Sequence, residues 1–313
     1  MAESIAERSP ATATGDLPAE LMTQLEQHRV ELTAHCYRML GSAFEGRTPS
    51  RRRCSAPGVR TIDSKAARRA RPIDLSPSST ADSALGTPLP ETAWIEPVPD
   101  IRVVAAGDPA EVALARESVR LAFVAALQHL PPRQRAVLIL REVLRWKASE
   151  VAELLETSVA SVNSALQRAR STLAASDVRD TRPAEPMDDA QRALLSRYVD
   201  AFERYDMDSL TALLHEDASW SMPPYELWLQ TNEDIVRWCL GPGSACRGSR
   251  LVPTMANGSP AFGHYKPSGT GGRHEPWSLQ VLELSAGRIS GITFFLDTAR
   301  FFPLFGLPLH LEE

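Results

Sequence analysis

The chain has 313 residues, 43% of them hydrophobic, which is enough for two or three domains with separate cores. A net charge of −5 excludes a protein that coats nucleic acid nonspecifically, so any DNA footprint must be local. Cys36, Cys54, Cys239 and Cys246 are scattered, with no ribbon-type zinc spacing and no histidine pair nearby. Free thiols in a reducing cytoplasm are expected, with no metal and no cofactor. The opening MAESIAERSPATATGD has no apolar signal-type stretch, and no run approaches the length of a membrane span. The expectation is a cytoplasmic protein without membrane contact.

In chain order, the first predicted element is a helix from about Leu17 to Ala43. Leu21, Leu25, Leu32, Cys36, Met39 and Leu40 form its apolar stripe, with Glu26, His28, Arg29 and Glu31 outside. Gly46 to Arg71 reads GRTPSRRRCSAPGVRTIDSKAARRAR, rich in arginine, poor in large apolar groups and without a sustained period. That is the composition of a disordered basic linker. Ser76 to Gly107, rich in Pro and Ser, continues the linker, and Trp94-Ile95-Glu96-Pro97 is its most distinctive part. Asp108 to Leu130 is predicted helical, with Val119, Phe123, Ala126 and Leu130 on one face.

Leu130 to Leu173 reads as two short helices and a longer one, joined by tight turns. Pro131 and Pro132 stop what precedes them, and Pro132 fits a first helical turn, where no amide donor is needed. Val137, Leu138 and Leu140 face inward, with Arg133, Arg135 and Arg141 outside. A second helix begins near Ala148, Glu156-Thr157 makes the turn, and Ser158 is an N-cap for the third helix. In that helix Val162, Leu166, Ala169 and Leu173 face a core. Ala160, Ser161, Asn163, Ser164, Gln167, Arg168 and Arg170 lie opposite. This is a helix-turn-helix layout. Short residues let such a helix sit deep in a major groove, amides and hydroxyls can bond base edges, and Arg133, Arg135, Arg168 and Arg170 can clamp phosphate. A packed helical hairpin with a solvated polar face fits the same pattern.

From about Met187 onward a separate α+β domain is predicted. Leu194, Tyr198, Val199 and Phe202 line one helix, Asp206-Met207-Asp208 starts another, and Ala218 to Met222 alternates like a strand. Thr231 and Asp234 suggest a capping box for a helix through Cys239. Strand candidates follow at Arg250–Asn257, Ala261–Tyr265, Trp277–Leu284 and Arg288–Leu296.

The helix-turn-helix closely resembles region 4 of extracytoplasmic-function sigma factors of the sigma-70 family. The residues that carry the resemblance are Leu130-Pro131, Arg135, Glu150-Val151-Ala152, Leu155, Ser158, Val162, Ser164, Leu166 and Arg168-Ala169-Arg170. The strings NSALQRAR and ESVRLAFVAALQHLPPRQRAVL look like the sigma-G-type subgroup. The resemblance implies a factor that binds core RNA polymerase and promoter DNA, region 4 reading the −35 element. Glu156 stands where a turn glycine is usual, and Asn163 and Ala165 stand where many relatives carry Lys and Arg. ELTAHCYRMLGS, Glu31 to Ser42, resembles the opening of sigma region 2, but the aromatic helices that should follow are missing. A deletion with a local frameshift across residues 46–71 would leave such a sequence; a natural basic arm touching promoter phosphate is the alternative.

The string AFERYDMDSLTALLHEDASWSMPP and the order of elements resemble a SnoaL/NTF2-like domain, a cone-shaped α+β fold that modulates sigma factors of this type. The resemblance implies a candidate ligand pocket built from Trp220, Trp228, His264, Tyr265, Trp277, Gln280 and Asp297, with small-ligand sensing or a purely interdomain contact expected rather than turnover. The expected domains are therefore 1–45, a remnant of all-α region 2; 46–107, a disordered linker; 108–176, region 4; 177–187, a second linker; and 188–313, the cone. An NTF2-like binding or isomerase-type domain fused to a DNA-binding helix-turn-helix, or a sigma factor defective in promoter melting, are the alternatives.

Overall fold

The computed structural model describes residues 29–42, 82, 85–89, 94–105, 107–175, 187–268 and 272–312. The first described helix, α1 (Arg29–Leu40), stops at Gly41, whose φ of 71° suits a residue without a Cβ. The expected helical residues 17–28, the basic stretch 46–71 and the linker 177–186 lie outside the described residues.

Residues 94–105 fall inside the segment expected to be a disordered linker, yet they are packed. Trp94, Glu96, Val98 and Val103 are buried, and α2 (Asp100–Val103) is a single turn. Composition misleads here because the apolar groups are few and spaced by prolines. The surface that receives them comes from distant parts of the chain.

The helix predicted from Asp108 to Leu130 is two helices, α3 (Pro109–Glu117) and α4 (Leu121–Gln128). They part at Ser118, whose hydroxyl donates to Ala115 O and accepts from the Arg38 guanidinium. Next comes α5 (Pro132–Leu138), which runs on into a π-helical turn, Ile139–Val143. Two more helices, α6 (Ala148–Leu154) and α7 (Val159–Ala175), complete the helix-turn-helix. Leu127, Leu130, Val137, Ile139, Val151, Val162 and Ala169 form its core, and Met39 of α1 packs against it.

The C-terminal domain begins with α8 (Asp189–Arg204), where Asp188 and Gln191 bond each other's backbone amides in a capping box. It continues through α9 (Met207–Leu213), β1 (Leu214–Ser221), β2 (Trp228–Leu229) and α10 (Asn232–Leu240). The rest is β3 (Arg250–Ala256), β4 (Ser259–Pro267), β5 (His274–Ser285), β6 (Arg288–Phe295) and α11 (Thr298–Phe305). The sheet order is β2-β1-β6-β5-β4-β3, antiparallel except for the parallel pair β1 and β6. Register shifts in three of the pairings mark bulges, which bend a sheet.

Side chains alternate between the faces of a strand, and both faces of this sheet are buried. On the helical face, Trp220, Phe262, Leu282, Ile292 and Phe294 meet Leu194, Tyr198, Phe202, Leu210 and Trp238 from α8 to α10. On the second face, Ala261, Tyr265, Leu279, Val281 and Phe295 meet Phe301 and Phe302 of α11. The same cluster takes in Ala34, Tyr37, Trp94, Val98, Val119 and Val124 from the N-terminal half. The architecture is thus the expected multidomain one: helices first, then a mixed α+β sheet domain. Among the described residues, no helix is long and apolar enough to cross a membrane.

Candidate nucleic-acid interface

The turn of the helix-turn-helix is built by backbone bonds. Glu156 N donates to Glu153 O at 3.1 Å and Thr157 N to Ala152 O at 2.8 Å, closing α6 in a Schellman arrangement. Glu156 takes a φ of 48°, so a side chain occupies the left-handed position that glycine tolerates best, at a cost of about 1 kcal/mol. Ser158 Oγ then accepts from Ser161 N at 3.1 Å, the N-cap of α7. Arg133 donates to Thr157 Oγ1 at 2.5 Å and ties α5 to the turn.

Along α7, Val162, Leu166 and Ala169 are buried and Leu173 is partly so. The opposite face is open: Ser158, Ala160, Asn163, Ser164, Gln167, Arg168 and Arg170 are exposed, and Ser161 is half-buried. Arg168 donates to Ser164 Oγ at 2.7 Å, and Arg170 pairs with Glu142 at 2.6 Å. Ala165, between Ser164 and Arg168 in the chain, is only 3% exposed.

Arg135 does not join this face. It is 3% exposed, and its guanidinium donates to Met39 O at 2.7 Å, Gln128 Oε1 at 2.5 Å, Gln128 O at 3.1 Å and Leu130 O at 3.2 Å. Burial lowers its pKa to about 10. The side of α5 that carries it is covered by the end of α1 and by α4, so the guanidinium holds helices together. It is not free to clamp phosphate.

The candidate pocket residues of the cone separate into groups. Trp220, His264 and Gln280 share the helical face. Trp220 stacks on Phe294 at 4.4 Å, and Gln280 Oε1 accepts the Tyr198 hydroxyl at 2.7 Å. His264 is fully buried between Ser249 and Ser278, with Nε2 2.8 Å from one hydroxyl and Nδ1 3.1 Å from the other. Ser249 Oγ donates to Cys246 O, so it accepts the proton of Nε2, and Ser278 donates to Nδ1. Burial drives the His264 pKa down to about 3, which keeps the ring neutral. Trp277 is half-buried beneath Lys266 Nζ, 3.6 Å from the ring centre.

The other three do not meet them. Tyr265 belongs to the second face, where its hydroxyl donates to Pro308 O at 2.8 Å. Trp228 pairs with Ser221, which points away from the side of Trp220. Asp297 caps α11 by accepting from Arg300 N. The seven residues therefore do not surround one point: strand alternation splits them.

Residues 120–173 match the family model described as Sigma-70, region 4. The whole chain is 40% identical to the ECF RNA polymerase sigma factor SigG of Mycobacterium tuberculosis, over 97% of this chain and 88% of that protein. The chain belongs to the ECF RNA polymerase sigma factors. This sigma factor, whose work is transcription initiation, is also 28% identical to SigJ of the same organism over 47% of its own length and 48% of that protein. The crystal structure of SigJ has the same fold, with a TM-score of 0.55 at 22% identity, covering 92% of this chain and 99% of that one. The alignment with SigG runs over 335 positions, more than this chain contains, so the relative holds residues that this sigma factor lacks.

One residue that no motif marks as functional joins the parts of this sigma factor. Asn257 is buried at the tip of the β3–β4 hairpin, at a φ of 57°. Its Nδ2 donates to the Tyr37 hydroxyl at 2.6 Å and to Val119 O at 2.8 Å, and its Oδ1 accepts from Val98 N at 3.0 Å. One side chain thereby connects α1, the linker, the approach to region 4 and the sheet. Beside it, Gly258 N donates to Asp100 Oδ1 at 2.7 Å, and a Cβ at 258 would stand 2.6 Å from Arg116 O. A second tie joins buried Glu96 to Arg300 at 2.6 Å, with the Ser42 hydroxyl on the other carboxylate oxygen. Asn-Gly between two strand-like runs is a strong hairpin signal, so the turn could have been found; its partners could not.

Proposed function

We propose that this sigma factor carries core RNA polymerase to promoters and reads the −35 element with the open face of α7. In this reading the C-terminal domain modulates activity by holding region 4, the linker and α1 together through Asn257 and Glu96. The observation that supports it most is the division of α7: one side is core, and the other presents short polar groups and two arginines to solvent. Footprinting of the holoenzyme on promoter DNA tests it. Arg168→Ala is expected to weaken protection of the −35 element several-fold at all sequences, and an unchanged footprint would remove Arg168 from the contact set. Run-off transcription with core polymerase tests initiation itself. Protection without a transcript would mean a factor that finds promoters and cannot open them.

A second reading concerns the helical face of the sheet. Gln280 Nε2 and Trp220 Nε1 are buried donors without a hydrogen-bond partner among the described residues. An unmet buried donor costs about 1–3 kcal/mol, so a small ligand whose oxygen reached either one would be held. Flavone, an uncharged probe with a carbonyl acceptor, titrated against tryptophan fluorescence, is expected to bind, and Gln280→Leu, which removes the amide at similar size, to weaken it about tenfold. Equal affinity in the two proteins would exclude the reading.

A further inference from the structure

We propose that Asn163 and Gln167 are the specificity-determining pair of α7, each reading an adenine in the promoter element. This rests on the reading that α7 enters the major groove there. The two residues are four apart on the helix, which stacks them on one face. Both are exposed, one and two turns in from the Ser158 cap, where a recognition helix meets base edges. Their neighbours on that face are otherwise engaged. Ser164 accepts from Arg168, Arg170 is paired with Glu142, and Ala160 has only a methyl to offer. Asn163 and Gln167 are thus the longest uncharged polar side chains on the open face, and neither amide has a hydrogen-bond partner among the described residues.

The chemistry selects the base. A carboxamide offers one donor and one acceptor side by side. In the major groove adenine presents the complementary pair, its N7 acceptor and N6 donor. Guanine presents two acceptors, which suit a guanidinium instead. Four residues of helix rise about 6 Å, close to two base-pair steps, so the pair can address two nearby base pairs without sharing one.

The test is selection of promoter fragments randomised across the −35 element, using holoenzyme assembled from the full chain and core RNA polymerase. The unaltered protein is expected to enrich adenine at two positions. Asn163→Ala should lose the preference at one and Gln167→Ala at the other, each by about tenfold. Gln167→Arg should move its position from adenine to guanine. Adenine preferences that persist in both alanine variants overturn the assignment while leaving region 4 reading intact. Failure to enrich any sequence overturns the assignment together with the reading it rests on. Arg168→Ala is the control: it should weaken all fragments alike.

Discussion

At the scale of single residues, burial decides what a polar side chain does. Arg135 and Arg168 are the same residue type within one helix-turn-helix, and one is a buried tie between helices while the other is open to solvent. His264 is the clearest case for measurement. Its pKa is lowered from 6.5 to about 3 by burial, so between those values the unfolded chain binds a proton that the folded chain does not. The stability it permits is complete above about pH 6.5 and is lost as pH falls toward 3. Between about pH 7 and about pH 5 the loss should be about 2 kcal/mol, read as a falling urea midpoint. His264→Gln should flatten that slope; an unchanged slope would place the acid sensitivity elsewhere. The sequence showed His264 as a polar group in a strand. Nothing in it showed Ser249 and Ser278 closing on both ring nitrogens, because the three meet only through the pairing of β4 with β3 on one side and β5 on the other.

At the scale of elements, local patterns were legible and breaks in them were not. The steps Val162, Leu166, Ala169 and Leu173 fixed the inner face of α7, and Thr231 capped α10 by accepting from Asp234 N. The division of α3 from α4 has no local signal, because Ser118 is held by Arg38, eighty residues earlier in the chain. Glu156 was legible in advance as a residue out of place, and its φ of 48° bears this out. Glu156→Gly should raise stability by about 0.5–1 kcal/mol, the relief at the left-handed turn exceeding the entropy glycine adds to the unfolded chain. Thermal unfolding of the full chain measures it, and a lowered midpoint would show that the glutamate is held by something other than the turn.

At the scale of the whole molecule, the parts meet at a few buried polar atoms. Asn257→Ala removes three side-chain hydrogen bonds and leaves Val98 N and Val119 O without their partner. It should cost about 2–4 kcal/mol and speed amide exchange in α1 and around Val119 while sparing the strands β5 and β6. Uniform exchange across the chain would mean that the junction and the sheet open as one. The candidate pocket failed at this scale. Chemistry alone grouped Tyr265 and Asp297 with His264, but the pleat put Tyr265 on the face that receives the N-terminal half, and Asp297 went to the start of α11.

That second face carries a practical consequence. A shortened protein ending before α8 would leave Tyr37, Val98, Val119 and Val124 bare, and an isolated C-terminal piece would leave Ala261, Leu279, Val281 and Phe295 with α11 as their only cover. Either fragment would present a contiguous greasy patch of the kind that drives self-association. Loss of transcription on cutting the chain there would therefore report insolubility as readily as release from control. Single substitutions at Asn257 or Arg300 separate the two, since they loosen the junction without stripping it.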